Sequence, residues 1–450
     1  MDDTKASQVE LIREAFHYQS RFDGSTMVFK IDCSIIDDPH FPSLMKDMAL
    51  LAKSGFHVVI VPGAKEWIDS ALEKHGIVST YYENVRITTP EAMPFVEMAA
   101  FHVATRFMTL STSRVDAIIG NFFRARGMGM INGVDMQHTG VVDKVLLDSL
   151  ERALKQGMAP ILPCIGWSPV GKPYNVASDE IALAAASTLG AIKLFIVSKG
   201  GGLRADMYDI PKGVDIDENG RIVKLNLQEA GSLLAANKGR APDESLKSLE
   251  LGVQAAKAGV ERVHIVDGGE EGVILKELFS NMGSGAMIYA DEYEAVRALR
   301  NSEIPDILRL MEPLMQKGVL VRRTPEAVQE KKEDYVVAEV DGSVRACAAL
   351  HDWGESQAEI AAVATDPMFA AMGLGRRIVK RLIETAAKKG FERVFVLTTT
   401  TQDWFEALGF KEAPVESLPA RKRNLYNQRR KSKVFALEIE GARKQRSSRD

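Results

Sequence analysis

Cysteine is scarce in this 450-residue sequence: Cys33, Cys164 and Cys347 are the full set, and they lie far apart. Such spacing signals neither a disulfide framework nor a clustered zinc site. The eight histidines are scattered with no pair at helical ligand spacing, so no structural or catalytic metal is expected. Long apolar runs are also missing; none approaches the roughly 20 residues that span a bilayer. The opening stretch MDDTKASQVELIREAF has neither the apolar core of a signal peptide nor the acid-poor, Arg-rich character of a transit peptide, which leads to a cytoplasmic expectation. Charge is nearly balanced, 57 basic against 61 acidic residues for a net −4, and this argues against nucleic acid as a partner of the whole chain.

What is present is the alternation of an α/β protein. Between residue 27 and about 290, short apolar runs (MVFKI, HVVIVPG, VDAIIG, MAPILPCIG, IKLFIVS, RVHIVDGG and GAMIYA) are spaced by longer helical segments. Continuous apolar strands separated by helices imply a parallel sheet covered on both faces, a three-layer αβα sandwich with its ligand site at the strand C-termini. The first run poses a puzzle. It ends in Asp32-Cys33, where a nucleotide-binding strand of this class would continue into glycines.

Beyond DEYEAVRALRNSEIPDI the rhythm changes. A helix over about 304–317 is followed by closely spaced strands, DYVVAEVDGSVRACAAL and QAEIAAVATDP, the first containing an Asp-Gly hairpin signal. A glycine-punctuated helix, the strand RVFVLTTTT, a short helix and the strand SKVFALEIE complete an α+β unit. The spacing predicts domains over 1–292 and 296–440, with a disordered tail over 441–450.

Within ATDPMFAAMGLGRRIVKRLIETAAKKG, Gly373-Leu374-Gly375 opens a helix whose apolar positions Ile378, Leu382 and Ala386 recur every four residues. Glycines at a helix N-terminus permit close backbone approach, and its exposed amides favour an anion. With the preceding VATDP and the later DWFEALGF, the segment resembles the GNAT family of acetyl-CoA-dependent acetyltransferases. The resemblance implies acetyl-CoA as co-substrate, held by backbone around Ala362, Val363 and Ala364 and around Gly373, Leu374, Gly375, Arg376 and Arg377. Ala370 stands where the family has Arg or Gln, and Phe405 where many relatives have a tyrosine acid.

Amine acetylation needs a base for the ammonium proton and an acid for the departing thiolate. Glu359 is a carboxylate flanked by apolar residues, suited to a raised pKa if it faces a cleft; in isolation an outward-facing strand residue in a salt bridge is the plainer reading. The threonines of LTTTT read equally as β-formers. GVLVRRTPEAV, AEIAAVATDP, LTTTTQDWFEALGF and ARKRNLYNQRRKSKVFALEI narrow the likeness to the bacterial N-acetylglutamate synthase family. That resemblance implies Glu359 as base through water, Thr398 as acid, and Arg323, Arg430 and Ser432 as binders of L-glutamate, whose two carboxylates suit guanidinium groups. The basic cluster 421–433 otherwise reads as a solvated face or a phosphate contact.

VIVPGAKEWID, RARGMGMINGVDMQHTG, YNVASDEIA and VHIVDGGEEGVILKELFSNMGSGAMI make the first half resemble the amino-acid kinase family. Active members carry glycines where Asp32-Cys33 and Lys65 stand here, and a carboxylate facing a triphosphate is repelled, so loss of kinase activity is expected. A retained, silent domain fits a sensor. Arginine-sensitive relatives imply an L-arginine site at Tyr18, Lys247, Glu277 and Gly283, and a homo-oligomer built through the N-terminal helix. The sequence does not tell inhibition from activation; inhibition is the default expectation. A competing reading keeps the sensor and makes the second domain a protein-lysine acetyltransferase, against which Arg323 and Arg430 count.

Overall fold

The structure, a computed structural model, describes residues 19, 22–109, 115–240, 243–279, 285–289, 294–340, 342–367, 369, 373–427, 430 and 432–439. The expected tail 441–450, Tyr18, Gly283 and Ala370 lie outside them. The chain divides into two compact units, Met1–Asp291 and Glu292–Asp450.

The first unit is built on an eight-stranded sheet. In chain order its strands are β1 (Thr26–Ile31), β2 (His57–Pro62), β3 (Ala117–Ile119), β4 (Ala159–Ile161), β5 (Lys193–Ser198), β6 (Lys224–Asn226), β7 (Arg262–Asp267) and β8 (Ala286–Tyr289). They lie in the order β6-β8-β7-β5-β1-β2-β4-β3. All pairs are parallel except β7 with β8, the one departure from the expected parallel sheet. Every residue of β1 and β5 is buried, which explains why these strands are apolar runs without alternation. Helices α1 (Ser178–Thr188) and α2 (Glu244–Lys257) pack on the sheet and on each other, as do the pair Phe41–Lys53 and α3 (Val273–Phe279). In register across three strands, Phe29 stacks on Phe195 at 4.9 Å and Phe195 on His264 at 4.8 Å.

One element was not legible as such: a small closed barrel of Phe123–Gly127, Thr139–Val145, Ile165–Trp167 and Pro173–Val176. Gly166 lets it close, because a Cβ there would sit 2.5 Å from the Phe123 ring and 2.7 Å from Ala125 Cβ.

The second unit is a seven-stranded sheet: β9 (Glu294–Ala298), β10 (Tyr335–Val340), β11 (Ser343–Asp352), β12 (Gln357–Thr365), β13 (Arg393–Thr398), β14 (Lys411–Ala413) and β15 (Lys433–Glu438), in the order β9-β10-β11-β12-β13-β15-β14. Residues of β10 and β11 alternate between two apolar layers. Ala338, Ala346, Ala348 and Leu350 face α5 (Leu374–Lys388), while Val337, Cys347 and Ala349 face α4 (Ile304–Gln316). The Asp-Gly signal marks the tight turn of β10 and β11, whose last pair is Val340 with Ser343. Strands β9 and β14 extend the sheet at its two edges, where the sequence pattern shows only a domain boundary and a loop. Among the described residues no helix is long and apolar enough to cross a membrane.

Candidate functional site

The second unit is opened at one place by a fault in its own sheet. Strands β12 and β13 are its one parallel pair, and they pair only from Gln357–Glu359 to Arg393–Phe395. Both continue beyond that point, β12 to Thr365 and β13 to Thr398, without pairing each other. A bulge accompanies the split. Cys347 opposes Ala364 and Ala349 opposes Ala361, so two residues of β12 face one of β11, and Ala362 takes the left-handed conformation at φ 55°. An alanine held there is strained, and the bulge breaks the ladder so that backbone of β12 turns toward the opening.

Two cavities meet at this fork. One, of about 420 Å³, is lined by Ala362, Val363, Thr365, Gly373, Gly375 and Arg376 on one side and by Thr398, Thr401, Trp404 and Phe405 on the other. The second, of about 320 Å³, is lined by Glu359, Arg323, Lys422, Tyr426, Arg430 and Ser432. Val319, Leu320, Ile360, Ala361, Ala362 and Leu397 belong to both, so the cavities share a wall at the fork.

The first cavity has the features of an anion cradle. Gly373 caps α5 with φ 67°, and the helix N-terminus presents amides that its own backbone leaves unsatisfied. A Cβ on Gly375 would lie 3.2 Å from Thr365 Oγ1 and 3.4 Å from Trp404 Cζ2, so glycine keeps this approach open. Of the expected cofactor-binding residues, the structure brings Ala362, Val363, Gly373, Gly375 and Arg376 to this cavity. Leu374 turns its side chain into the core, Ala364 belongs to the opposite apolar layer, and the Arg377 amide already donates to Gly373 O at 3.1 Å.

The second cavity collects the acceptor-site residues. Glu359 is the last paired residue before the strands part, and only 6% of its surface is exposed. The apolar niche expected for it is corrected by its partners. The Trp353 indole donates to Oε2 at 2.9 Å, and Lys422 Nζ lies 2.5 Å from the same oxygen. The salt-bridge reading and the cavity reading thus both describe Glu359. Arg323 and Arg430 face the same space; Arg430 donates to the carbonyls of Gly318, at 3.1 Å, and Val319. Burial, and then the positive Arg323 nearby, lower the Arg430 pKa, which marks a pocket that favours an added anion. Thr398 ends β13 on the cradle side, its hydroxyl 2.7 Å from Thr401 Oγ1 and accepting from the Thr401 amide at 3.0 Å. Tyr426 spends its hydroxyl on the Ser432 carbonyl at 2.7 Å.

Lys422 and Trp353 are the residues that sequence reasoning did not single out. In the five-residue helix Ala420–Asn424, Arg421 and Arg423 are exposed and Lys422 is the one turned inward, 4.6 Å above the Trp353 ring. Its position within a basic run gave no sign of this.

In the first unit, β1 ends at a cavity of about 300 Å³ lined by Lys30, Asp32, Lys65, Glu66, Asp179 and Lys247, among others. Lys30 Nζ is held by Asp32 at 3.2 Å and Asp179 at 3.1 Å; burial disfavours its charge, but the two carboxylates outweigh this and raise its pKa. Asp32 therefore supplies an anion of its own where the strand meets the cavity. Asp32, Cys33 and Glu66 gather three metal-type donors, but Asp32 holds Lys30 and the Cys33 thiol donates to Glu66 at 2.5 Å. Burial and Glu66 push that thiol up to about 12, so it is protonated at neutral pH.

The structure does not join Lys247 to Glu277. Lys247 pairs with Glu244 at 2.9 Å in the cavity wall. Glu277 accepts from His264 Nδ1 at 2.8 Å and from the Gly285 amide at 3.2 Å, with 4% of its side chain exposed. Burial favours its neutral form, yet the bond from His264, that charge, the Gly285 amide and Lys193 together hold its carboxyl below the usual range.

The sequence matches the amino acid kinase family over residues 25–267 and the acetyltransferase (GNAT) family over 303–410. It is 33% identical over 446 residues to the amino-acid acetyltransferase of Pseudomonas fluorescens SBW25, covering 95% of this chain and 98% of that protein. It is 30% identical to the one of Shigella flexneri, covering 97% and 99%. Among solved structures it resembles N-acetylglutamate synthase from Neisseria gonorrhoeae complexed with coenzyme A and L-arginine, with a TM-score of 0.80 and 29% identity over 96% of this chain and 99% of that one. The same enzyme complexed with coenzyme A and N-acetyl-glutamate matches with a TM-score of 0.57 at 30% identity. With the kinase-type sheet, the forked acetyltransferase sheet and this likeness along nearly its whole length, the chain belongs to the amino-acid acetyltransferase family.

Proposed function

We propose that the chain is an N-acetylglutamate synthase, which moves the acetyl group of acetyl-CoA onto the amino group of L-glutamate, the first step of arginine biosynthesis, and is inhibited by L-arginine bound to the first unit. The observation that carries this reading is the second cavity. Two guanidinium groups and a buried carboxylate share it, at the fork where it meets the anion cradle. A dicarboxylic amino acid supplies the matching charges, whereas a peptide lysine would leave both arginines unmatched.

Acetyl-CoA fits the cradle, its pyrophosphate at the Gly373–Arg376 turn and its thioester toward the fork, where bulge backbone can polarise the carbonyl. Glu359, through a water, takes a proton from the substrate ammonium, and the freed nitrogen attacks the acetyl carbon. The C–N bond forms as the C–S bond breaks; Thr398, backed by the Thr401 hydroxyl, gives the proton that the thiolate takes up and regains one from the nitrogen, which sheds its second proton in becoming the neutral amide. Arg323, Arg430 and Ser432 hold the substrate.

For arginine, the buried Glu277 carboxylate offers an anion for a guanidinium, with Tyr18 and Gly283 as its expected companions. Lys247, which lines the other cavity, is its least supported member. The cytoplasmic location and the homo-oligomer belong to the same proposal. So does the silence of the kinase-type unit, which the internal Lys30–Asp32 pair supports.

The test is thiol release from acetyl-CoA by the purified protein, with glutamate and with or without millimolar arginine. Glutamate-dependent release suppressed by arginine is expected. Release indifferent to arginine would remove the sensor, and no release with glutamate would remove the synthase. Gly375→Ala tests the cradle. Its Cβ forces Thr365 and Trp404 to give way, so the KM for acetyl-CoA is expected to rise about tenfold, close to 1.4 kcal/mol. The KM for glutamate should stay within twofold in the same initial-rate series.

A further inference from the structure

The acceptor cavity holds more cations than two arginines. Among the described residues that line it stand three, Arg323, Arg430 and Lys422, against one carboxylate, Glu359. Lys422 is already paired with that carboxylate at 2.5 Å, and the two side chains are 15% and 8% exposed. Lys422 also lies over the Trp353 ring while that indole donates to Glu359, so one aromatic side chain braces both members of the pair. The arginines are arranged otherwise. Arg430 is tied to the Gly318 and Val319 carbonyls and Arg323 to the Val321 carbonyl, and among the described residues neither has a carboxylate partner in the cavity.

A substrate ammonium that is to lose its proton to Glu359 must come within a water's reach of it, and there it competes with Lys422. An isolated amine would displace one cation with another and strand Lys422 in a partly buried site, at a cost in desolvation. An α-amino acid avoids this, because its head group carries an ammonium and a carboxylate on one carbon. Inserted into the Lys422–Glu359 pair, it exchanges one internal ion pair for two across the interface. We infer that the Lys422–Glu359 ion pair reads the α-ammonium-carboxylate head group of the acceptor, with Lys422 the specificity-determining residue for the α-carboxylate. Arg323 and Arg430 are then left for the side-chain carboxylate. The inference deepens the synthase reading and rests on it.

The experiment compares L-glutamate with 4-aminobutanoate, which is glutamate without its α-carboxylate, by calorimetric titration in the presence of coenzyme A. In Lys422→Gln the Kd for glutamate is expected to weaken about thirtyfold, the loss of one charge-assisted hydrogen bond. The Kd for 4-aminobutanoate should not weaken, and it tightens to the extent that the variant no longer has a lysine charge to strand. Lys422→Arg should keep most of the discrimination, since it keeps the charge, and an unchanged Kd for coenzyme A in both variants reports an intact fold. Equal weakening of the two ligands, or weakening of neither, in a variant that binds coenzyme A overturns the inference and leaves the synthase reading standing. Failure of the unsubstituted protein to bind or acetylate glutamate overturns both.

Discussion

Replacement of Glu359 by glutamine is expected to lower kcat for glutamate acetylation by about 10²–10⁴-fold, the range that a positioned general base contributes. The substitution keeps the volume of the side chain, and its amide oxygen can still accept from the Trp353 indole, now at 2.9 Å. What disappears is the group that can take a proton at the fork of β12 and β13. The anion cradle is lined by other residues, so the dissociation constant of coenzyme A should stay within twofold.

A loss of this size has two explanations, and pH separates them. If Glu359 only anchors Lys422, the variant has a displaced lysine and a uniformly slower reaction. If Glu359 is the base, the variant is left with the small fraction of glutamate whose amine is already neutral. Its rate should then climb about tenfold per pH unit below the ammonium pKa of the substrate, because each unit multiplies that fraction by ten. Initial rates at saturating acetyl-CoA across several pH units decide the matter. A pH-independent deficit, or a kcat within about fivefold of the parent, would assign Glu359 to structure and leave the proton to another acceptor.

Strands β1 and β5 of the first unit were legible because their burial is complete. An apolar run such as Lys193–Ser198, flanked by turn residues, has few other ways to be satisfied. The fork was not legible. It goes with a bulge at Ala362, and neither a glycine nor a proline announces the left-handed residue. Glu359 drew notice as a carboxylate among apolar neighbours, but its partners come from residues 353 and 422, the second some sixty positions away. Likewise Glu277, implied as an arginine-site residue, gives no sign in its helical pattern that β7 brings His264 beneath it. Local periodicity reports which face of an element is buried, not which polar group waits on the other side. Lys422 is the sharpest case. Its neighbours Arg421 and Arg423 carry the same charge, and the rotation of one short helix turn decides which of the three points inward.

Arg430 carries the other large expectation. Arg430→Met removes a guanidinium that faces the acceptor cavity and, among the described residues, has no carboxylate partner there. Truncating a charge-assisted contact to a substrate carboxylate costs about 2–3 kcal/mol, or about 30- to 150-fold in the KM for glutamate. Burial and the neighbouring Arg323 lower the pKa of Arg430. Removing the repulsion between the two arginines stabilises the substrate-free site, so it does not reduce the expected loss of affinity. A second effect must be separated out, because Arg430 also ties down the Gly318 and Val319 carbonyls, and Val319 lines both cavities. Loosening that segment would weaken coenzyme A and glutamate together, whereas loss of carboxylate recognition would not. The decisive readout is the preference for glutamate over glutamine, which differ only at the side-chain carboxylate. In Arg430→Met the ratio of kcat/KM values should collapse by at least tenfold. In Arg430→Lys, which restores the charge without the planar fork, it should recover only in part. A preference that survives in both variants would assign Arg430 to holding the segment in place and leave the side-chain carboxylate to Arg323.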